Sequence, residues 1–476
     1  MRFTKIVCTL GPSTNTKESI RSLVDAGMNV ARINLSHGSL EQHLQTIRTV
    51  KEINEELKAA ARIPTCVGIL LDTKGAEIRT GDVTEKIQIK AGQEVLFSSK
   101  PLPKEKRTVI MVNHEHFDKD VLEAELILID NGLLSFDIVS TDRKSGTVTA
   151  KALENGSIGS RRHVNLPGAN LSMPSITPKD WEDIAFAAKE GVDFLALSFI
   201  REAKEVEEVR GFLTGHSARI ALISKIETRQ AVRNIQEIIE ASDGIMVARG
   251  DLGVEVPFES VPAIQDDLVL SSRRAGKPVI VATHMLESMI DQPMPTRAEV
   301  TDIAHAAMSR TDATMLSGET ASGEFPFESV GAMDRVLLAT EEHITQNTAM
   351  EESPVENERA ARAHAAVTLA VTTRADSLFV MTRSGQTARD VAKYRPNVPI
   401  IAFTDVVETQ RALQLTFGVV PILIPFSSKD PEKTVRDAIA AGKAMDVLHK
   451  GDHVVLVSDS KAGDESVNTV QLRRIP

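Results

Sequence analysis

The chain has 476 residues, of which 42% are hydrophobic and only 4% aromatic, and its formal net charge is -11. Its length exceeds what one hydrophobic core usually serves, so two or three domains are expected. The acidic balance argues against a general nucleic-acid-binding protein, because phosphate backbones are held by clustered Lys and Arg; any phosphate site here needs a few placed cations or metal ions.

Two observations bear on the cellular compartment. Cys8 and Cys66 are the only cysteines and each lies inside an apolar run, so buried thiols in a reducing compartment are expected rather than a disulfide. The chain enters a predicted strand almost at once, with no charged leader or long apolar segment, which indicates neither secretion nor membrane insertion. We therefore expect a cytoplasmic protein.

Short apolar runs alternate with segments of helical periodicity along most of the chain. The eight runs cover residues 5–10, 29–35, 66–72, 194–199, 220–224, 244–248, 278–282 and 313–317. Eight βα units are typical of an α/β protein with a closed (β/α)8 TIM barrel, where active sites lie at the carboxyl ends of the strands. A doubly wound sheet is the weaker alternative.

The alternation of apolar runs and helical segments is interrupted between the third and fourth runs. Residues 74–166 contain short alternating stretches at 86–89, 94–97 and 147–152, with the turn signal Asp130-Asn131-Gly132. We interpret them as an inserted all-β domain between two barrel parts, 1–73 and 167–345. An insert at this end of the barrel would overhang the catalytic mouth as a lid that excludes water, unless it is mere decoration.

The remaining residues, 346–476, are predicted to form a C-terminal α/β regulatory domain. The polar stretch 345–358 resembles a linker. Helices are predicted near 359–373 and 386–394, and strands near 377–382, 399–403 and 453–458.

Charged residues end the fifth and sixth predicted strands. Lys225 and Glu227 share one face of the fifth strand, and Asp251 follows the sixth, roughly 5 Å away. Two carboxylates without Cys or His nearby favour Mg²⁺ or Mn²⁺. The alternative is a structural ion pair between Lys225 and Glu227.

Three further residues lie close to these strand ends. Gly250 and Gly253 stand where a helix could start, so their N–H groups could bind a carboxylate or phosphate, or simply form a βα turn. Thr283 follows the seventh strand and could orient a substrate or a water, or cap a helix.

The second and third strands end in a cluster of oxygen donors that carries one formal charge. The donors are Asn34, Ser36, Asp72 and Thr73. This set suits a weakly hydrated monovalent cation, with helix capping as the rival explanation. Arg32 and Arg79 supply positive charge suited to phosphate oxygens, although either could pair with a carboxylate.

Seven long segments of the chain are informative together: TKIVCTLGPS (4–13), GMNVARINLSHG (27–38), LDTKGAEIRTG (71–81), ISKIE (223–227), GIMVARGDLGVE (244–255), PTRAEV (295–300) and MLSGETA (315–321). In these segments and their order, the chain resembles the pyruvate kinase family essentially from end to end. Chance recurrence of all these segments in order is negligible.

The resemblance implies a three-domain enzyme, commonly a homotetramer, that transfers a phosphoryl group from phosphoenolpyruvate to ADP in glycolysis. A Mg²⁺-dependent barrel lyase or aldolase that stabilises an enolate is the main alternative. A non-catalytic scaffold would be expected to have lost a charge-handling residue, and none is lost.

The resemblance also implies roles for individual residues. Lys225 faces the transferring phosphoryl group, while Glu227 and Asp251 bind Mg²⁺. The implied K⁺ ligands are Asn34, Ser36, Asp72 and Thr73; the implied substrate contacts are Arg32, Lys225, Gly250, Asp251 and Thr283; and the nucleotide-side positions are Asn34, His37, Arg79 and Arg162. Arg32, Lys225 and Thr283 are the implied catalytic residues, with the proton to carbon delivered near Thr283.

A few positions depart from the family pattern. Arg162 stands where the family usually has Lys, Ala76 where it usually has Pro, and His284 where many bacterial members have Gln. Glu77 resembles the acidic residue of K⁺-dependent members, so K⁺ activation is expected.

The C-terminal domain carries a candidate effector site in the segment TRSGQTA (382–388). Its members Thr382, Ser384, Gly385 and Thr387 could hold the phosphate of an allosteric effector, although a capped helix explains them too. Residues 460–469 depart from the Gly-rich closing loop of fructose-bisphosphate-responsive relatives.

Overall fold

The computed structural model describes residues 1–60, 62–102, 104–347, 355–462 and 465–476. Eight parallel strands form a closed barrel, numbered here as barrel strands 1 to 8: Lys5–Leu10, Val30–Asn34, Gly68–Asp72, Phe194–Leu197, Ala221–Ile226, Gly244–Ala248, Val279–Ala282 and Ala313–Leu316. Strand 1 pairs with strands 2 and 8 and so closes the ring. The predicted (β/α)8 barrel is confirmed.

Helices cover the outside of the barrel. The α-helices are Lys17–Ala26, Leu40–Ala60, Pro178–Glu190, Ala203–Gly215, Arg229–Arg233, Ile235–Ala241, Arg249–Glu255, Val261–Arg274, Arg297–Met308, Gly318–Ala321 and Pro326–Asn347, with 3-10 turns at Pro12–Thr14, Phe258–Ser260 and Glu287–Ile290. Nearly all barrel-strand residues are buried, because helices cover one face and the barrel interior the other. Val7, Leu70 and Met246 belong to the inner cluster, so the strands' charged ends are held on a rigid, packed support.

Between barrel strand 3 and the barrel helix Pro178–Glu190 lies the predicted all-β insert. It forms a seven-stranded sheet and a two-stranded one from Ile78–Arg79, Ile87–Ile89, Glu94–Ser98, Val109–Met111, Ile127–Ile129, Leu134–Asp142, Thr147–Ala152, Gly156–Ile158 and His163–Asn165, with short helices at Phe117–Asp120 and Val121–Glu123. Asp130, Asn131 and Gly132 all adopt positive φ, which explains the strong turn signal there.

The C-terminal domain is a five-stranded sheet with helices. Its strands are Ser377–Met381, Ile400–Thr404, Val419–Leu423, His453–Ala462 and Glu465–Arg474, and its helices are Glu358–Thr373, Gln386–Ala392, Val407–Ala412, Leu413–Leu415 and Pro431–Ala444. The last two strands are antiparallel. Of the predicted linker, 348–354 lies outside the described residues, and 345–347 still belongs to the last barrel helix.

Both cysteines are buried free thiols, as expected, and burial raises the pKa of each, that of Cys66 to about 12. Among the described helices, none combines the length and the apolar character that a bilayer crossing requires.

Buried polar contacts join the amino-terminal end of the barrel to the C-terminal domain. The Lys5 ammonium donates to the carbonyl of Val419 at 2.6 Å. The Asp312 carboxylate binds the Arg395 guanidinium at 2.5 Å and accepts from the Phe417 N–H at 2.9 Å. These contacts hold the two domains together at the side opposite the barrel mouth.

Lys5 makes this junction sensitive to pH. Burial, aided by the charge of Arg2, lowers the pKa of Lys5 to about 7, whereas an unfolded lysine titrates near ~10.4. Between these values the unfolded chain binds more protons, so the Lys5 contribution to stability rises with pH. From pH 7 to pH 9 the free energy of unfolding should rise by about 2 kcal/mol more in the wild type than in Lys5→Met, as measured by denaturant unfolding. An unchanged difference between the two proteins would contradict this.

Candidate active site

A cavity of about 420 Å³ opens at the carboxyl ends of the barrel strands, beneath the insert. It is lined by Arg32, Asn34, Ser36, His37, Thr73, Lys74, Glu77, Arg79, Arg161, Ser198, Phe199, Lys225, Glu227 and Asp251. The structure therefore brings most of the predicted catalytic, metal and nucleotide-side residues into one cavity, although they come from distant parts of the chain.

The Lys225 ammonium contacts two carboxylates and a hydroxyl at the cavity. It lies 2.9 Å from Glu227 Oε1 and 3.2 Å from Asp72 Oδ1, and it donates to Ser198 Oγ at 2.7 Å. Burial disfavours the charge, but Asp72 and Glu227 outweigh it and raise the pKa of Lys225. A fixed positive charge therefore faces the cavity at neutral pH.

Asp72 lies beneath this cavity rather than on its lining. Its carboxylate is fully buried and accepts from Arg32 Nε at 2.7 Å, while Arg32 Nη1 donates to Thr9 Oγ1 at 2.8 Å. Burial favours the neutral acid, but Lys225 and Arg32 overcome it and lower the pKa of Asp72. Asp72 thus holds two cations in place from below.

The other three predicted K⁺ ligands line the cavity. Asn34 Oδ1 accepts from the Ser36 N–H at 3.0 Å, so these two residues share one turn. Thr73 Oγ1 accepts from the Ser198 N–H at 3.1 Å. The oxygen donors are adjacent, as the strand pairing of Asn34 with Asp72 requires.

Glu227 is a buried carboxylate with one oxygen that lacks a hydrogen bond. Its Oε2 accepts from the Phe199 N–H at 2.6 Å, whereas Oε1 accepts no hydrogen bond from the described residues and has the Lys225 ammonium at 2.9 Å as its ion-pair partner. Burial raises the pKa of Glu227 to about 7; Lys225 opposes that rise, and Asp251 adds to it.

An unsatisfied carboxylate oxygen beside a second carboxylate fits a hard divalent cation. Within the described part of the chain, no cluster of three or more Asp, Glu, His or Cys side chains could hold a metal. An ion held by Glu227 and Asp251 would therefore complete its coordination with water or substrate oxygens.

Thr283 holds the segment that carries Asp251. Its hydroxyl accepts from the Gly250 N–H at 2.8 Å and donates to the Ala282 carbonyl at 2.7 Å. Thr283 itself adopts a left-handed φ of 67°, so it caps a neighbouring chain segment rather than a helix of its own. The Gly250 N–H, for which anion binding and a simple βα turn were the two alternatives, is thus already engaged by Thr283.

The nucleotide-side residues divide into two groups. Arg79 lines the cavity, where its Nε pairs with Glu77 at 2.7 Å. Arg162 does not line it, because its guanidinium lies 3.4 Å from Asp130 on the insert. Arg161, which the sequence interpretation passed over, lines the cavity instead.

The candidate effector residues lie far from this cavity, in the C-terminal domain. Thr382, Ser384 and Thr387 line a separate cavity of about 630 Å³. Thr382 Oγ1 accepts from the Gly385 N–H at 3.0 Å, and Gly385 takes a φ of 80°. In the departing segment 460–469, residues 463–464 lie outside the described residues.

Comparison with known proteins follows the same division of the chain. The family model "Pyruvate kinase, barrel domain" matches residues 1–330, and "Pyruvate kinase, alpha/beta domain" matches residues 360–472. The chain belongs to the pyruvate kinase family.

Relatives that match this chain over nearly its whole length come from plants and bacteria. Plastidial pyruvate kinase 2 of Arabidopsis thaliana is 41% identical over 100% of this chain and 81% of its own. The pyruvate kinase of Sporosarcina psychrophila is 40% identical over 100% of this chain and 80% of its own. The pyruvate kinase of Staphylococcus aureus (strain MRSA252) is 40% identical over 98% of this chain and 79% of its own.

Two residues at this pyruvate kinase site were missed in the sequence. Ser198 Oγ contacts Lys225 and donates to the Thr73 carbonyl at 2.7 Å, and Phe199 presents its N–H to Glu227 from a φ of 53°. Both follow barrel strand 4, so a polar residue at the carboxyl end of a barrel strand was the available signal for Ser198.

Ser198→Ala should lower kcat by about tenfold with little change in the KM for ADP. The variant removes a hydrogen bond to a charged group, worth roughly 1.5 kcal/mol or more, and frees the Lys225 ammonium to move. Steady-state kinetics provides the measurement. Ser224→Ala is the matched control, because Ser224 is a buried barrel serine that bonds Ser242 instead. Equal kcat values in the two variants would rule out a positioning role for Ser198.

Proposed function

We propose that this chain transfers the phosphoryl group of phosphoenolpyruvate to ADP, giving pyruvate and ATP in glycolysis, at the mouth of its barrel. The observation that carries the proposal is the convergence of Lys225, Glu227 and Asp251 on one cavity within a chain of this family. Phosphoryl transfer depends mainly on positioning and charge neutralisation, which such a cluster supplies.

Glu227 and Asp251 would hold Mg²⁺ or Mn²⁺, and the K⁺ ion would lie among the donors Asn34, Ser36, Asp72 and Thr73. When bound, the divalent ion neutralises oxygens of the substrate and of the transferring group. Support for the divalent site comes from Glu227 Oε1, a buried oxygen that accepts no hydrogen bond from the described residues and so can still take a cation besides Lys225. The donor set of the K⁺ site carries a single negative charge, which suits a weakly hydrated cation.

Arg32 and Lys225 would carry the remaining charge compensation. Arg32 is fixed by Asp72 and Thr9, so its guanidinium edge is preorganised toward phosphoryl oxygens. The Lys225 ammonium would stay beside the enolate oxygen of pyruvate once the phosphoryl group has left. Proton delivery to carbon would use water or a hydroxyl near Thr283, with Gly250 and Asp251 contacting the substrate beside it.

ADP would enter between the barrel and the insert, where Asn34, His37 and Arg79 line the cavity. Arg162 would join them only if its guanidinium leaves Asp130. We place the domains at 1–73 and 167–345 for the barrel, 74–166 for the insert that serves as a lid, and 346–476 for the C-terminal regulatory domain.

A coupled assay tests the reaction class directly. Pyruvate formation should require both phosphoenolpyruvate and ADP, and ATP should appear in equal amount. Consumption of phosphoenolpyruvate without ADP would favour the enolate-stabilising lyase or aldolase instead.

Potassium should activate the enzyme severalfold. Residue 77 is Glu, which adds a negative charge beside the nucleotide-side Arg79. A lysine at this position could supply the positive charge that K⁺ otherwise provides. Initial rates are compared in potassium and in a buffer with tetramethylammonium as the only monovalent cation. Glu77→Lys should reduce the dependence because it brings a tethered cation to the cavity. Equal wild-type rates in both buffers would count against the K⁺ site.

We also propose that the C-terminal cavity around Thr382, Ser384, Gly385 and Thr387 binds a phosphorylated effector. A homotetramer and a cytoplasmic location remain our predictions. The two buried thiols support a reducing compartment.

A further inference from the structure

A second large cavity lies at the opposite end of the barrel from the active site. Its volume is about 810 Å³, and it is walled by the amino-terminal ends of barrel strands 4 to 7 on one side and by the C-terminal domain on the other. A volume of this size falls in the range that holds small-molecule ligands. Leu213, Ala218 and Val406 give it apolar surface.

The lining of this interdomain cavity carries more positive than negative charge. The cations are Arg210, Arg219, Lys277, Arg383 and Arg389; the anions are Asp193, Asp243 and Glu408. Asp193 is already neutralised by Arg411 at 2.7 Å, a residue behind the lining. An anion entering from solvent would therefore meet an attractive potential.

Three of the five cations have structural tasks. Lys277 Nζ donates to the carbonyls of Ile239, Glu240 and Ser242 and so caps the end of a helix. Arg210 pairs with Asp243 at 3.1 Å, and Arg383 pairs with Asp405 at 3.1 Å. These interactions account for three charges without any ligand.

Arg389 and Arg219, the other two cations, have guanidinium N–H groups that donate to no described residue. Arg389 uses only Nη2, toward the Ser384 carbonyl and Gln386 Oε1, so Nε and Nη1 donate to no described atom. Burial lowers the pKa of Arg389, although the charges of Asp243 and Asp390 oppose the change. Arg219, on the barrel side, makes no hydrogen bond or ion pair with any residue in the described ranges.

We propose that the interdomain cavity binds a small organic phosphate monoester, with its phosphate shared between Arg389 of the C-terminal domain and Arg219 of the barrel. Two guanidinium groups match the charge of a phosphate monoester, about -1.5 to -2 at neutral pH, and offer forked donors for its oxygens. The apolar wall would take the carbon body. Because the ligand would touch both domains, its binding would stabilise their junction.

The test is direct binding of phenyl phosphate to the full chain, by isothermal titration calorimetry, with phenol and inorganic phosphate as comparators. Phenyl phosphate should bind more tightly than either comparator and should raise the Tm. Arg389→Gln and Arg219→Gln should each weaken that binding by about tenfold, the usual cost of one charged hydrogen-bonding group.

Arg473→Gln is the matched control, since Arg473 lines the C-terminal effector cavity and not the interdomain cavity. It should leave this binding within about twofold, which is below the energy of one hydrogen bond. Activity toward phosphoenolpyruvate and ADP reports whether each variant is folded. If Arg389→Gln misfolds, Arg219→Gln still tests the proposal, because Arg219 is exposed and its replacement should not disturb the fold. Absence of binding, or binding that only Arg473→Gln weakens, would overturn the proposal without touching the proposed reaction.

Discussion

Lys225→Met should lower kcat by about a hundredfold or more while the chain stays folded. The variant removes an ammonium that lies within 3.2 Å of both Asp72 and Glu227 and that faces the cavity. A preorganised positive charge at developing negative charge is commonly worth about 3 kcal/mol or more. The effect should therefore fall on turnover, measured in the coupled assay with circular dichroism as the check on folding.

Lys17→Met is the control for this variant. Lys17 also pairs with two carboxylates, Glu52 at 3.0 Å and Glu56 at 2.9 Å, but on the exposed outer helices. Its loss should leave kcat unchanged, because exposed pairs contribute little. A folded Lys225→Met enzyme with near-normal turnover and a lowered Tm would reduce Lys225 to a structural ion pair.

Glu227→Gln should also lower kcat by about a hundredfold, and should raise the Mg²⁺ concentration needed for half-maximal rate by at least tenfold. The amide is nearly isosteric and can still accept from the Phe199 N–H, so the loss is chiefly one of charge. Rates measured across a Mg²⁺ titration separate the metal effect from the fall in kcat.

Glu255→Gln is a matched control for Glu227→Gln. Burial raises the pKa of Glu255 to about 7, as it does for Glu227, yet Glu255 does not line the barrel-mouth cavity. Its Mg²⁺ dependence should match that of the wild type. Equal Mg²⁺ dependence in the Glu227 variant would show that this carboxylate is no ligand.

The barrel was predictable because its signals are local. Each strand is an apolar run of four to six residues, and the alternation with amphipathic segments repeats along the chain. The charged residues at strand ends were predictable for the same reason, since a barrel brings those ends together. In the C-terminal domain, Val419–Leu423 was missed because Pro421 interrupts its strand pattern. The strand lies at the edge of the sheet, where Pro is tolerated.

The finer arrangement of the site depends on backbone conformations that residue types do not reveal. Phe199 and Thr283 adopt positive φ, which is uncommon outside glycine, and each thereby places a hydrogen-bonding group at the site. The choice between Arg161 and Arg162 also depends on the local conformation of the insert, where Asp130 attracts Arg162. The alternation of residue types along the sequence does not show which of two adjacent arginines lines the cavity.

Anomalous scattering from Mn²⁺ bound to crystals of the full chain tests the central claim most directly. One manganese peak should lie between the Glu227 and Asp251 carboxylates at roughly 2.1 Å, the ligand distance of a small hard cation, on the cavity side of Lys225. Manganese bound elsewhere, with these two carboxylates unligated, would contradict the account.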